Sequence, residues 1–270
     1  MAEDDDYQIE DQPFLIPLPL DAIRCDPQGL GTADCSTVCR CRDGCDYAIK
    51  DMKGAHHFTP HAEWFCTHLA DAVGLAGPPC RLVRMLDQSI AFGSRWEGGV
   101  IDKQRPWFTR VRDNEIPLPE IAPILSRIYA FDHFVHNWDR HGDNFLCRES
   151  RGSHIVLSFD YSRAWVCNGF PLPQLPFTDD ATQIESHTRI VQRQLVSLWR
   201  NNFIEPEECA DLLDIVRKIP KHHIEKIIGD HPQEWLTDTM RTLILDWWHS
   251  DEMDHRIEGI RKGIADGSYL

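Results

Sequence analysis

The sequence predicts an α+β fold in two lobes, a small β-rich front and a mainly helical remainder that carries one buried β-hairpin. Three observations predict it: two short strand-like runs flank an Asp-Gly dipeptide in the front third, an apolar stripe runs at helical spacing from Ile121 to Val135, and helical patterns dominate from about Thr182 onward.

In chain order, residues 1–13 (MAEDDDYQIEDQP) hold six acids and no Lys or Arg and read as a solvated acidic tail, with folded chain expected from near Phe14. TVCRCR and DYAIK, either side of Asp43-Gly44, predict a β-hairpin, because that dipeptide suits the positive φ values of a tight turn. After Pro60, the spacing of Trp64, Phe65, Leu69 and Val73 predicts a helix, closed by Gly74, Gly77, Pro78 and Pro79. Two further strands are expected from Cys80 to Met85 and from Gln88 to Ser94. The glycines of GSRWEGG then suggest a connector, which sets the expected lobes at 14–97 and 98–270. Ile121, Ile124, Leu125, Ile128, Phe131 and Val135, preceded by Pro117, Pro119 and Pro123, predict a long buried helix. It runs into the polar stretch HNWDRHGDN, and FLCR and HIVLSFD around a turn at 149–153 predict a second hairpin. VCNGFPLPQLPF reads as irregular. Val191, Leu195, Leu198 and Trp199, then Leu236, Met240, Leu243 and Trp247, predict helices.

Composition narrows the function. Hydrophobic residues at 42% and nine Trp with twelve Phe exclude a disordered chain, and 270 residues exclude a small stapled scaffold. A formal net charge of −15 repels phosphate backbones and anionic headgroups, so neither nucleic acid nor a membrane surface is an expected partner. No apolar run of about 18 residues and no basic, apolar leader is present, which gives a cytoplasmic expectation. Ten cysteines at that address are expected to be reduced thiols.

The chemistry is concentrated in HNWDRHGDNFL and the following IVLSFDYSRAW. Phosphoryl transfer needs a carboxylate to orient the accepting hydroxyl, together with an amide and a further carboxylate to hold Mg²⁺ against nucleotide phosphates. Asp139, Asn144 five residues on, and Asp160 at the end of the next strand supply those three groups. Mg²⁺ keeps several waters and takes only one or two protein ligands, so Asn144 and Asp160 suffice.

DRHGDNFL followed by FDYSRAW resembles the catalytic and metal-binding segments of the HipA-like kinases and, more distantly, of the phosphatidylinositol 3- and 4-kinases. YAIK resembles their nucleotide-binding lysine strand, and HAEWFCTHLADAVGL the helix that follows it; AFGSRWEGG falls where that family has its hinge. The resemblance covers about residues 20 to 170 and implies a two-lobed protein-kinase-like fold. It places Lys50 on the nucleotide phosphates with Glu63 as its ion-pair partner, Trp96 in hinge packing or against adenine, and proton handling on Asp139 shared with His141 across a catalytic and metal-binding loop, 136–165. Asp160-Tyr161-Ser162 lacks the Phe-Gly of the common protein-kinase triplet, which argues against an ordinary activation loop.

Gly29-Leu30-Gly31 is the candidate phosphate loop, although no third glycine follows; Ser36 and Thr37, with backbone amides, are the alternative phosphate contacts. Cys35, Cys39, Cys41 and Cys45 invite a zinc reading, but their C-x3-C-x-C-x3-C spacing is not that of zinc ribbons or fingers, and incidental buried thiols are the expectation. His136, Asp139 and His141 would suit a metallohydrolase, a reading that leaves Lys50, Glu63 and Asn144 without a role. The sequence therefore points to an ATP- and Mg²⁺-dependent kinase of HipA-like type acting on a hydroxyl, a protein Ser/Thr before an inositol lipid. The alternative is a catalytically weak or inactive nucleotide-binding regulatory module on the same fold.

Overall fold

A computed structural model describes residues 18–27, 37–53, 57–97, 107–137, 139–140, 142–172 and 204–267. The front is a small closed barrel of β1 (Leu20–Pro27), β2 (Thr37–Cys41), β3 (Asp46–Lys50), β4 (Cys80–Arg84) and β5 (Ile90–Arg95), in the order β1-β2-β3-β5-β4. Neighbours are antiparallel except at the closing seam, where β1 meets β4 in parallel through Leu20 opposite Val83 and Asp21 opposite Arg84. Alternation buries Cys39, Cys41, Tyr47, Ile49, Val83 and Ala91 inside it. Gly93 stands where a side chain does not fit: a Cβ there would lie 2.6 Å from Val83 Cγ2 and 3.3 Å from Tyr47 Cβ.

The first hairpin forms where expected, with a different turn. Only Gly44 takes positive φ (78°), and the N–H groups of Gly44 and Cys41 donate to Cys41 O and Cys45 O, both at 2.9 Å. That is a three-residue loop closed by a left-handed glycine, and Asp43 keeps ordinary φ.

The reduced-thiol expectation fails at one pair, since Cys25 and Cys39 form a disulfide. The β1–β2 register sets the two directly opposite, with Cα atoms 4.1 Å apart, so strand pairing itself brings their sulfurs together. Among the described residues Cys41, Cys45, Cys66, Cys80, Cys147, Cys167 and Cys209 remain thiols; Cys35 lies outside them.

Helix α1 (Thr59–Ala72) follows the hairpin and ends on Gly74 at φ +75°. Behind it come α2 (Trp107–Arg112), α3 (Leu118–Val135), the hairpin β6 (Phe145–Ser150) and β7 (Ser153–Ser158), and then α4 (Pro206–Lys218), α5 (Lys221–Gly229), α6 (Asp238–Trp247) and α7 (Asp251–Ala265). The apolar stripe of α3 is buried as its spacing predicts, and α1 shares one continuous core with α3 and the later helices. β1 and α2 were not anticipated. The acidic tail, the lobe boundary at 97/98 and the helix expected around Val191 to Trp199 lie outside the described residues, wholly or on one side. No described helix is long and apolar enough to cross a membrane.

Candidate active site

Lys50 closes β3 opposite Phe92 and is 6% exposed. Its Nζ donates to Glu63 Oε1 and to Asp160 Oδ1, the latter at 2.7 Å. Glu63, 2% exposed, lies near the start of α1, and the same Oε1 accepts the Tyr161 N–H at 3.0 Å. Asp160 follows β7 in the left-handed region at φ +65°, a conformation that costs of order 1 kcal/mol for a residue with a side chain. Ser162 Oγ donates to the same Oδ1 at 2.7 Å. A barrel strand, the helix that follows it and the segment after β7 thus meet at one ammonium.

With all three ionised, this buried cluster carries one positive and two negative charges. Burial alone would lower the Lys50 ammonium, but the charges of Asp160 and then Glu63 outweigh it and hold Lys50 above its ordinary value. Burial alone would raise Asp160; the ammonium beside it and the Ser162 hydrogen bonds win and hold it well below the carboxylate range. Glu63 absorbs the excess negative charge. Burial, with Asp160 adding to it, pushes its carboxyl up to about 7 against the pull of Lys50.

The polar loop begins where α3 ends. His136 adopts φ +55° and the Asn137 N–H reaches back to Asp132 O at 2.8 Å, so the chain leaves the helix on a left-handed cap. Asp139 is half-buried, and its carbonyl accepts the Asn144 Nδ2–H at 2.8 Å. Asn144 is 4% exposed in a 3-10 turn, 142–144, directly ahead of β6. Trp107 Nε1 donates to Gly142 O at 3.2 Å, which gives the unanticipated α2 a contact with this loop.

At the centre of the loop is a residue that sequence reasoning quoted only as part of a motif. Arg140, 2% exposed, forks onto Asp132 through Nε (2.8 Å to Oδ2) and Nη2 (3.0 Å to Oδ1), while Nη1 donates to the carbonyls of Asn144 (2.8 Å) and Phe159. The signal for Asp132 was a carboxylate inside the apolar stripe of α3. Alone it does not announce a partner eight residues away.

The structure brings Lys50, Glu63 and Asp160 together and joins Asp139 to Asn144 through the backbone. Thr37 starts β2, and its hydroxyl donates to Asp26 O at 3.1 Å within the β1–β2 ladder. Trp96 is 47% exposed, and its N–H donates to Asp46 O at 2.8 Å, which carries the ladder one residue past β5; the rest of the expected hinge falls in 98–106, outside the described residues. Gly29, Gly31, Ser36 and His141 lie outside the described residues. His136 is buried beside Arg256, and burial, with that charge, drops its imidazole to about 3. No group of three or more His, Cys, Asp and Glu is placed to hold a metal among the described residues; a Mg²⁺ site of one amide and one carboxylate is not of that kind.

A strand lysine paired with a glutamate of the next helix, and an Asp/Asn loop behind a small β-barrel, define a protein-kinase-like chain. A family model described as HipA-like kinase matches residues 31–261, and the chain belongs to that family. No curated protein matches it. Among solved structures, the proinflammatory kinase CtkA of Helicobacter pylori superposes with a TM-score of 0.59 at 13% identity, over 94% of this chain and 99% of that one. HipA in the toxin-antitoxin complex of HipA, HipB and operator DNA from Shewanella oneidensis MR-1 gives 0.44 at 11% identity, over 82% of this chain and 58% of that one. WaaP in complex with acyl carrier protein gives 0.40 at 15% identity, over 88% of each chain.

Proposed function

We propose that this chain transfers the γ-phosphoryl group of ATP to a hydroxyl, with protein Ser/Thr as the acceptor class. The observation that carries the proposal is the buried Lys50–Glu63–Asp160 cluster, in which one ammonium is fixed between two carboxylates from different parts of the chain. A merely structural lysine on a small barrel would reach solvent along its stem. Here the charge is buried instead, at the inner end of β3, where a phosphate can take it as a partner.

The donor set fits a hard divalent cation. Asn144 donates its Nδ2–H to Asp139 O, which fixes the other end of the amide as oxygen, and Asp160 stays ionised under its neighbours. Asn144 Oδ1 and Asp160 would hold Mg²⁺, which when bound neutralises charge on the phosphate oxygens. Lys50 then binds the α- and β-phosphates and Glu63 orients Lys50. Asp139 accepts or aligns the proton of the attacking hydroxyl, and His141 shares the proton handling. The net charge of −15 favours a protein acceptor over an anionic lipid headgroup.

The test is incubation with γ-labelled ATP and Mg²⁺ beside the Asp139→Asn variant. The wild type transfers or releases label, whereas Asp139→Asn keeps ATP affinity and loses turnover by roughly 10²–10⁴-fold, since an amide cannot accept the proton. Metal-dependent ATP binding by the wild type with no turnover would replace this reading with that of a regulatory module, and no ATP binding at all would end both.

A further inference from the structure

We infer that Arg140, locked by Asp132, is the positioning residue that sets the Asn144 and Asp160 segments against each other and thereby sets the affinity for the divalent cation. The cation part rests on the proposed kinase reading; the positioning part rests on geometry alone.

Arg140 meets both segments in the same two ways. Its Nη1 donates to Asn144 O and to Phe159 O, the carbonyl just before Asp160. Its guanidinium plane lies 5.2 Å from the ring centroid of Phe145, which follows Asn144, and 4.9 Å from that of Tyr161, which follows Asp160. Each segment is therefore held at a backbone oxygen and at an adjacent aromatic ring by one rigid planar group. The β6–β7 ladder pairs the chain on one side, from Phe145 opposite Ser158 to Ser150 opposite Ser153, and past the end of that ladder the backbone bond between them is a long one, Phe159 N–H to Asn144 O at 3.4 Å.

The group itself cannot turn. Two parallel hydrogen bonds to both Asp132 oxygens fix its plane, and Asp132 is fixed in turn by the Asn137 Nδ2–H at 3.0 Å and by its place on α3, where it is 1% exposed. Four N–H donations on four acceptors leave little rotational freedom. A buried ion pair is a weak source of net stability, often replaceable by apolar side chains of similar volume. What apolar side chains cannot do is donate to two carbonyls on two chain segments at once. Groups that orient metal ligands without touching the metal typically carry 10–100-fold in affinity, and fixing where Asn144 and Asp160 stand is that kind of role.

Two full-length variants test this. Arg140→Lys keeps a charge for Asp132 but has no planar fork, and Asp132→Leu/Arg140→Met removes the pair without leaving a buried charge unpartnered. Binding of a non-hydrolysable ATP analogue is measured without metal and across a Mg²⁺ titration, and amide exchange is followed on ligand-free protein. Both variants should melt cooperatively and bind the analogue without metal within about twofold of wild type. Their Mg²⁺ midpoint should rise 10–100-fold. Exchange should quicken together at 142–144 and 159–162 while the β6–β7 ladder, the β2–β3 hairpin and α4 stay protected. A merely structural role lowers the folded fraction and leaves the Mg²⁺ midpoint where it was. An unchanged midpoint in either folded variant overturns the inference, as does exchange that quickens evenly along the chain. If the wild type itself shows no Mg²⁺-enhanced binding, the cation reading is what falls, and the exchange pattern still decides whether Arg140 positions the two segments.

Discussion

Glu63 is the residue on which the cluster balances, because it can take a proton near neutrality while Lys50 and Asp160 stay charged. If its task is to hold Lys50 in place, Lys50→Met should weaken nucleotide binding strongly and Glu63→Ala less so. The double variant should be little worse than Lys50→Met alone, since residues acting as a unit are not additive. Affinities of the four proteins for ATP give the coupling, and fully additive losses would show that Glu63 acts elsewhere. Asp160→Ala should keep the fold and lose the metal-dependent part of nucleotide affinity; wild-type affinity with Mg²⁺ would remove Asp160 from the metal assignment. Much of this site was legible in the sequence because its residues sit in short, dense motifs whose chemistry names itself. Asp132 and Arg140 were not: their meaning lies in a fork between a helix and a loop, and neither residue type nor spacing specifies that geometry. Thr37 and Trp96 stand at strand ends, where a hydroxyl bond to Asp26 O and a backbone bond to Asp46 O tie them to the barrel, and residue type and spacing do not announce either bond.

At the level of elements, local signals carried well and closures did not. The hairpins, α1 and α3 follow from turn chemistry and apolar spacing, whereas the closing of the barrel depends on a two-residue parallel seam between β1 and β4, far apart in sequence. β1 itself has a register irregularity between Ala22 and Arg24, which blurs the alternation that would have announced it. Two expectations belong to the barrel. Gly93→Ala puts a methyl 2.6 Å from a stiff, fully buried Val83 side chain, next to the strand that carries Lys50. It should destabilise the chain by about 1–3 kcal/mol, seen as a lower denaturation midpoint; an unchanged midpoint would mean that the barrel relaxes without cost. The Cys25–Cys39 disulfide closes a 14-residue separation, for which chain-entropy reasoning gives about 3 kcal/mol. Reductant should lower the melting temperature of the wild type and leave Cys25→Ser/Cys39→Ser unaffected, and equal melting of the wild type with and without reductant would contradict that assignment.

Across the whole molecule the packing runs through the two-lobe outline, for α1 carries Glu63 and shares one core both with Cys80, Leu82 and Phe92 of the barrel and with the helices behind it. Trp64 Nε1 donates to Ile227 O at 3.0 Å, Arg127 Nη2 to Val73 O at 2.9 Å, and His61 Nδ1 meets His231 Nε2 at 2.9 Å. The barrel supplies Lys50 to a glutamate already anchored from the rear. The histidine pair makes that anchorage sensitive to acid. His231 Nδ1 donates to Pro232 O at 2.8 Å, so its Nε2 is the acceptor and His61 Nδ1 must carry the proton between them; a second proton on His231 sets two N–H groups face to face. Burial first, with His231 and Arg241 acting the same way, holds His61 well below its ordinary value, and burial drops His231 and His68 to about 4 and His136 to about 3. Each has a folded value below its unfolded one, so its contribution to stability is full above about 6.5 and is lost as pH falls through the folded value. Glu63 has the opposite sign, its contribution being full below the ordinary carboxylate value and lost as pH rises through about 7. At pH 5 each of His68, His136 and His231 costs about 2 kcal/mol relative to pH 8, with His61 acting in the same direction, against a total of roughly 5–15 kcal/mol for a domain, and these histidines outnumber the two carboxyls that burial raises, Glu63 and Asp132. The melting temperature should therefore fall by more than 10 °C between pH 7.5 and pH 5, and less steeply in His61→Phe/His231→Leu. A flat profile in the wild type, or an equally steep one in the double variant, would show that the pair does not hold α1 as a neutral hydrogen-bonded unit.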